Sequence, residues 1–504
     1  MDLTLLILIF IVISTILYWY LTKTYKHWEN QNVPCLPNPV PGLGHMMPII
    51  TLKQSLQDFV LNAYGQTDAS VIGFYFVRKP AIIVRDPELV KSVLVTNFNS
   101  FRNNSIQLNE KSDPVMAKNP FFATDPDTWK TSRTRTVQHL SGRKLGQLFI
   151  IVNEVVVKMH SYVIRKIDEN NGSFEYETKD FFTKYTGEVV ANAAFAIEGQ
   201  SFHDNPDKWC FDNVAKTLFE PTLLNGMKQA LLFYLPEVGH SLGVSFLQKS
   251  TDQYFRENLK ATLKQRKEVK SPPHDFLQFC IDSNEKDDVD NIIADLIVFY
   301  GDVYETSSSS LSSVFYHLSK HQDIQEKLRE HIANVMKKYG NQITYESLKE
   351  MNYLEQVIYE ALRITPPFPS NLKVCTEEIT LQGSDGLKIH LKPGNPVLVP
   401  IVALHGDEKH WPNAQDFDPD RFCQENQTDR NKFVFLPFGE GPRQCPGMRF
   451  AMMLMKLATA SLIHKFSIAH SHKTKEPLEI EPSSIITYVK GGLWAKFEKL
   501  NQSG

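Results

Sequence analysis

The ten residues from Phe438 to Gly447 read FGEGPRQCPG, and MRFAMMLMKLATASLIHKF follows directly. The second stretch is apolar on nearly every face, which reads as a buried helix. Pro446 stands after Cys445, and proline favours the first helical position, so the spacing puts the cysteine just before a helix N-terminus. Unpaired N–H groups and the positive dipole end favour an ionised sulfur there. Gly441 and Gly447 let backbone run close to a flat partner. Arg443 offers a planar fork of donors suited to a carboxylate. A cysteine alone in an apolar stretch is ordinary packing material. Phe438, Gly441, Arg443, Cys445 and Gly447 in one register are not, because at average residue usage the set recurs at roughly one start position in several million.

The pattern F-x-x-G-x-R-x-C-x-G resembles the haem-binding loop of the cytochrome P-450 family, the haem-thiolate monooxygenases. The resemblance implies a mainly α fold with a smaller β-rich subdomain. It implies haem b as cofactor, with the Cys445 thiolate on the iron and Arg443 on a propionate. A thiolate on haem pushes electron density toward bound oxygen and favours O–O cleavage.

The chain has 504 residues, 42% hydrophobic, with 54 basic and 57 acidic side chains and a net charge of −3. Bulk charge gives no reason to expect nucleic acid. The cysteines Cys35, Cys210, Cys280, Cys375, Cys423 and Cys445 are scattered without a C-x-x-C pair. That usage fits a reducing compartment rather than a disulfide framework or zinc motif.

Leu3 to Leu21 is interrupted only by Thr4, Ser14 and Thr15. As a helix it would be about 28 Å long, close to the hydrocarbon core of a bilayer. Trp19 and Tyr20 suit the interface, and Lys23, Lys26 and His27 make the following flank the positive side, which predicts a cytosolic body. A cleaved signal peptide competes with this reading, but a basic leader and a small-residue cleavage site are both missing. Pro34, Pro37, Pro39, Pro41, Gly42 and Gly44 read as a stiff spacer. The expected organisation is an anchor over 1–22, a basic and proline-rich linker over 23–50, and one catalytic domain over 51–504. The resemblance adds the endoplasmic reticulum membrane, with the domain on its cytosolic face. Sequons at Asn171 and Asn426 test that orientation, because a lumenal body would invite glycosylation.

The body opens with a helical stretch ending at Gly65, then 71–77 and 80–86 read as a β-hairpin. Asp86 before Pro87 is a helix N-cap candidate. Residues 101–125 read as a long loop. Trp129 and Arg133 share a helix face at four-residue spacing, and the resemblance gives both to haem propionates. The apolar stretch 231–247, broken by Pro236, Gly239 and Gly243, reads as core or as an entrance segment dipping into a membrane.

Helix 289–319 contains GDVYETSSSS. Oxygen activation needs protons beside the iron, and an acid next to a hydroxyl can supply them through water. The resemblance makes Thr306 the oxygen-side hydroxyl and Glu305 part of the proton route. Serine and threonine inside a helix also simply bond back to the i−4 carbonyl. The family often has Ala-Gly where this chain has Asp302-Val303, so Asp302 is a second candidate acid and Val303 narrows the space.

Glu360 and Arg363 form E-x-x-R before Pro366, and Glu326/Arg329 and Glu440/Arg443 match the same spacing. Position ahead of the PDRF at 419–422 selects the first pair. The resemblance joins Glu360, Arg363 and Arg421 into a buried charge network under the haem loop. Lys373 stands where relatives carry a propionate-binding arginine. Residues 374–381, 388–400 and 486–498 alternate like strands, and the turn of the last is expected in the cavity.

The reading is a membrane-bound monooxygenase inserting one atom of O2 into small lipophilic substrates. Electrons are expected from NADPH through a separate NADPH-cytochrome reductase, with cytochrome b5 as a possible second donor. Arg133, Arg135, Lys144, Lys432 and Arg449 are candidates for its basic docking face. The style of PPFPSNLKVCTEE resembles animal xenobiotic-metabolising members, insect detoxification enzymes included. A peroxide isomerase or dehydratase, and a non-catalytic haem or ligand-binding protein, are the alternatives.

Overall fold

The computed structural model describes residues 3–207, 210–283, 289–426 and 430–500. Thr428 of the second sequon and the last four residues lie outside them. The architecture is mainly helical with a smaller β-rich part, as expected.

The molecule is built on a central helix, Val289–Lys320, buried on almost every face from Ile292 to Ser319. It packs most extensively against the helix Thr178–Val190. Its serine run is compatible with burial because hydroxyls satisfy themselves on the preceding turn: Ser308 donates to Tyr304 O and Ser310 to Thr306 O, both at 2.8 Å. The helix Met448–Lys465 lies inside the same core, between Arg143–Glu169 and the central helix.

The ten strands among the described residues are Val71–Phe76 (β1), Lys79–Val84 (β2), Asn103–Asn104 (β3), Ser173–Glu177 (β4), Asn371–Val374 (β5), Ile379–Gln382 (β6), Lys388–Leu391 (β7), Pro396–Val399 (β8), Phe466–His470 (β9) and Trp494–Lys499 (β10). The main sheet has the order β1-β2-β8-β5-β3; β4-β10-β9 and β6-β7 form two smaller ones. The expected hairpin is present, with Val71 opposite Val84 and Phe76 opposite Lys79. Asp86 caps the next helix by accepting from Glu88 N at 2.9 Å.

None of the residues of the helix Leu3–Thr22 is buried, and its last turn meets the body, where Arg78 Nη2 donates to Tyr20 O at 3.0 Å. The 23–50 segment is not a free spacer along its length. Trp28 is fully buried, and its indole donates to Phe74 O at 3.0 Å. Gly73 beneath it has no room for a side chain, since a Cβ would sit 2.6 Å from the Trp28 ring. The stretch 231–247 divides between its two readings: Leu232, Phe233 and Leu247 are core, whereas Val238 and Leu242 are exposed.

Candidate functional site

The helix after the cysteine loop begins at Met448, with Gly447 as its N-cap, so Pro446 lies outside it rather than at its first position. The intervening turn aims the N–H groups of Gly447 and Met448 at the Cys445 sulfur. The loop is closed by Cys445 N donating to Phe438 O at 2.8 Å and Gln444 N to Gly441 O at 3.0 Å. Gly441 has φ of +79°, and a Cβ there would meet Leu94 O at 2.1 Å, so only glycine fits. The two N–H groups favour the ionised sulfur as expected, but burial opposes them. Burial pushes the Cys445 thiol up to about 11, outweighing the two N–H groups. The loop alone does not ionise the sulfur; a metal ion coordinated there would.

Across from the sulfur lies the central helix. The Asp302 carboxyl is reachable by water yet surrounded by protein, so it opens on an interior space, and its charge acts on Cys445. Desolvation raises its pKa to about 6, against a hydrogen bond from Asn119 Nδ2 to Oδ1 at 3.2 Å. Thr306, one turn on, donates its hydroxyl back to Asp302 O. Glu305 is turned away: it is buried beside the Thr178–Val190 helix and paired with Lys179 Nζ at 2.8 Å. An aromatic wall adjoins Asn119, with Phe122 packed on Phe121, Phe233 and Phe246 at centroid distances of 5.0, 6.5 and 6.2 Å. The Gly491–Gly492 turn lies against Glu177 rather than in the cavity; Ile485, upstream of it, packs on the main core and donates its backbone N–H to Gln229 Oε1 at 3.2 Å.

Arg133, Arg443 and Lys373 converge beside the cysteine loop. Arg133 Nη1 donates to Gln444 O at 2.7 Å. The Arg443 guanidinium lies 4.9 Å from the centre of the Trp129 ring and donates to Pro120 O at 2.7 Å and Ala123 O at 2.9 Å. Lys373, 1% exposed, donates to Asn104 Oδ1 at 3.0 Å. Burial drives the lysine pKa well down and lowers that of Arg443 to about 10. Among the described residues none of these cations has a carboxylate partner within ion-pair range. Trp129 Nε1 is buried without a hydrogen-bond partner. A buried lysine and two half-buried arginines without carboxylate partners, together with an orphaned donor, are what a dicarboxylate group would satisfy. The residues fit haem, its propionates at this cluster and its iron at Cys445.

Glu360 and Arg363 are 0% and 1% exposed. Arg363 holds both carboxylate oxygens, through Nε at 2.7 Å and Nη2 at 2.8 Å, and also reaches the carbonyls of His405, Ala414 and Asp416. Arg421 Nε lies 3.3 Å from Glu360 Oε1. Of the rival spacings, Glu326 pairs with Arg329 at the surface, while Glu440 pairs with Lys432 rather than Arg443. Sequence reasoning missed His405, which has no motif around it. It is buried and held neutral, its pKa depressed to about 3 by burial. Its Nδ1–H donates to Arg363 O at 3.1 Å and its Nε2 accepts from Leu436 N at 2.8 Å, linking the network to the loop.

On the outer side of the loop a groove of about 550 Å³ is lined by Trp129, Lys130, Arg133, Val137, Gly441 and Gln444, among others. Arg449 is exposed, but Arg135 drops out of the basic face because it is drawn inward to Asp295 at 3.2 Å. Lys144 folds over the Phe279 ring at 4.7 Å.

A family model described as cytochrome P450 matches residues 34–494. The relatives include "Probable cytochrome P450 6g2" of Drosophila melanogaster, 28% identical over 98% of each chain. "Cytochrome P450 6k1" of Blattella germanica is 28% identical over 98% of this chain and 97% of its own. "Cytochrome P450 9e2" of the same species is 29% identical over 97% of both.

Proposed function

Because the chain belongs to the cytochrome P450 family, we propose that it is a membrane-anchored monooxygenase that takes electrons from NADPH through a separate reductase. Its cofactor is haem with a cysteine thiolate, which when bound supplies the activation of O2 and transfer of one oxygen atom to substrate. The observation that carries the reading is the opposition of Cys445 and Asp302 across one interior space, flanked by cations that lack carboxylates.

In this reading Cys445 would ligate the haem iron, backed by the N–H groups of Gly447 and Met448. Arg133, Arg443, Lys373 and Trp129 hold the propionates, and Phe438, Gly441 and Gly447 shape the loop. Asp302 is the proton-handling acid: Asn119 occupies Oδ1, leaving Oδ2 to hold a proton and release it into the cavity. Thr306 orients water there once its hydroxyl leaves the Asp302 carbonyl. Glu305, paired with Lys179, holds the helix in place. The phenylalanine wall excludes water and suits small lipophilic substrates, xenobiotics among them.

The test is turnover with NADPH and reductase over a panel of such substrates. Product formed without NADPH would indicate the peroxide-isomerase alternative. Asp302→Asn is expected to keep the haem spectrum and to slow turnover about 100-fold, the low end for a lost general acid. Because the Asp302 pKa is raised to about 6, its proton is lost as pH rises through that value. Wild-type turnover should fall across that window, and the variant's profile should be flat there.

Membrane contact is proposed at two places. Leu3–Thr22 is the anchor, and Leu223 and Leu224, 70% and 74% exposed on the helix Leu223–Phe233, form the second contact. A chain lacking residues 1–22 is expected to stay partly bound to phosphatidylcholine vesicles. Changing Leu223 and Leu224 to serine should weaken that binding about tenfold or more, since burying one leucine contributes about 1.5–3 kcal/mol. Vesicle co-sedimentation measures it.

A further inference from the structure

Away from the cysteine loop, three helices bring His139, Cys280 and Asp295 together, all buried, with one ligand atom of each lying within 4.8 Å of the others. His139 ends the helix Pro126–His139, Cys280 lies on Phe276–Ser283, and Asp295 is on the central helix. We propose that this imidazole, thiol and carboxylate form a site for Zn²⁺, distinct from the haem, with water as the fourth ligand.

The hydrogen bonds select the tautomer that a metal needs. The Ser283 hydroxyl donates to Cys280 O at 3.1 Å, so its oxygen accepts from His139 Nε2–H at 2.8 Å. The His139 Nδ1 lone pair is thereby aimed at Cys280 Sγ, 3.7 Å away. A tetrahedral zinc with ordinary Zn–S and Zn–N bonds sets sulfur and nitrogen about 3.6 Å apart. The outer nitrogen bonded to a neighbouring oxygen is the support that metal-bound histidines usually have. Asp295 is oriented by Arg135 Nη2 at 3.2 Å on Oδ1. Thiolate, imidazole and carboxylate together favour zinc over magnesium or calcium. Ser283 is exposed, giving the ion an entry and a water a route to the fourth position.

Occupancy would tie the helix carrying Trp129 and Arg133 to the helix carrying Asp302 and Thr306, the two sides of the proposed haem slot. Binding of Cys280 releases its thiol proton, and no oxidation is involved.

The experiment uses full-length holoenzyme without a histidine tag, equilibrated with buffered Zn²⁺. Elemental analysis should find one zinc per chain beside one iron. Absorption spectroscopy at the zinc edge should show one sulfur in the first shell, and zinc should raise the thermal midpoint. Cys280→Ser should weaken zinc about tenfold or more while iron content stays. Absence of bound zinc, a sulfur-free shell in the wild type, or zinc retained by the serine variant would overturn the proposal. The wild-type spectrum decides the matter even if the variant folds poorly.

Discussion

Cys445→Ser is expected to end catalysis and change the pigment. The protein should either purify without haem or hold it so that the reduced carbon-monoxide band moves to shorter wavelength, with turnover down by more than the roughly 100-fold that outer-shell changes cause. Serine keeps the loop, since Cys445 N still donates to Phe438 O and Gly441 still turns beneath Leu94. What it removes is a soft donor whose proton a metal can displace. The thiol sits at about 11 because burial outweighs the N–H groups of Gly447 and Met448. A hydroxyl is far less acidic than a thiol, so those two N–H groups cannot make up the difference. The paired measurement is the pyridine haemochrome content and the carbon-monoxide spectrum of the two proteins. An unchanged band with unchanged turnover would remove Cys445 from the iron.

The elements legible in the sequence were those whose cause is local. The hairpin at Val71–Val84, the Asp86 cap and the apolar Leu3–Thr22 helix each follow from residues within a few positions of one another. The cysteine loop was legible because five residues act in one turn. Which of the two candidate acids faces Cys445 was not, because the orientation of Glu305 depends on Lys179, over a hundred residues earlier, and that of Asp302 on Asn119. His405 was invisible for the same reason: its two partners, Arg363 and Leu436, are distant in sequence. Arg135 looked like surface charge, but Asp295 draws it inward. The helix start at Met448 was missed by two residues, since Pro446 favours a helical start but cannot fix the turn that precedes it.

Glu360→Ala should be the most destabilising single change outside the cofactor loop. Arg363 makes five hydrogen bonds, two of them to Glu360. Removing the carboxylate leaves its three carbonyl contacts but strands its charge, and that of Arg421, where water cannot reach. A buried pair broken this way costs about 3–5 kcal/mol, a large part of the roughly 5–15 kcal/mol that holds a domain folded. The loss should spread to the haem site along a specific route. Arg363 O accepts from His405, and His405 accepts from Leu436 N, two residues before Phe438. Urea titration of holoenzyme should therefore show a lower midpoint together with earlier haem release. Arg363→Lys separates charge from geometry: an ammonium retains the charge but cannot span both carboxylate oxygens and three carbonyls. If shape matters as the five bonds imply, lysine recovers only part of the stability. Full recovery by lysine, or a Glu360→Ala midpoint within the ±0.5 kcal/mol of an ordinary surface substitution, would mean that the network does not support the loop.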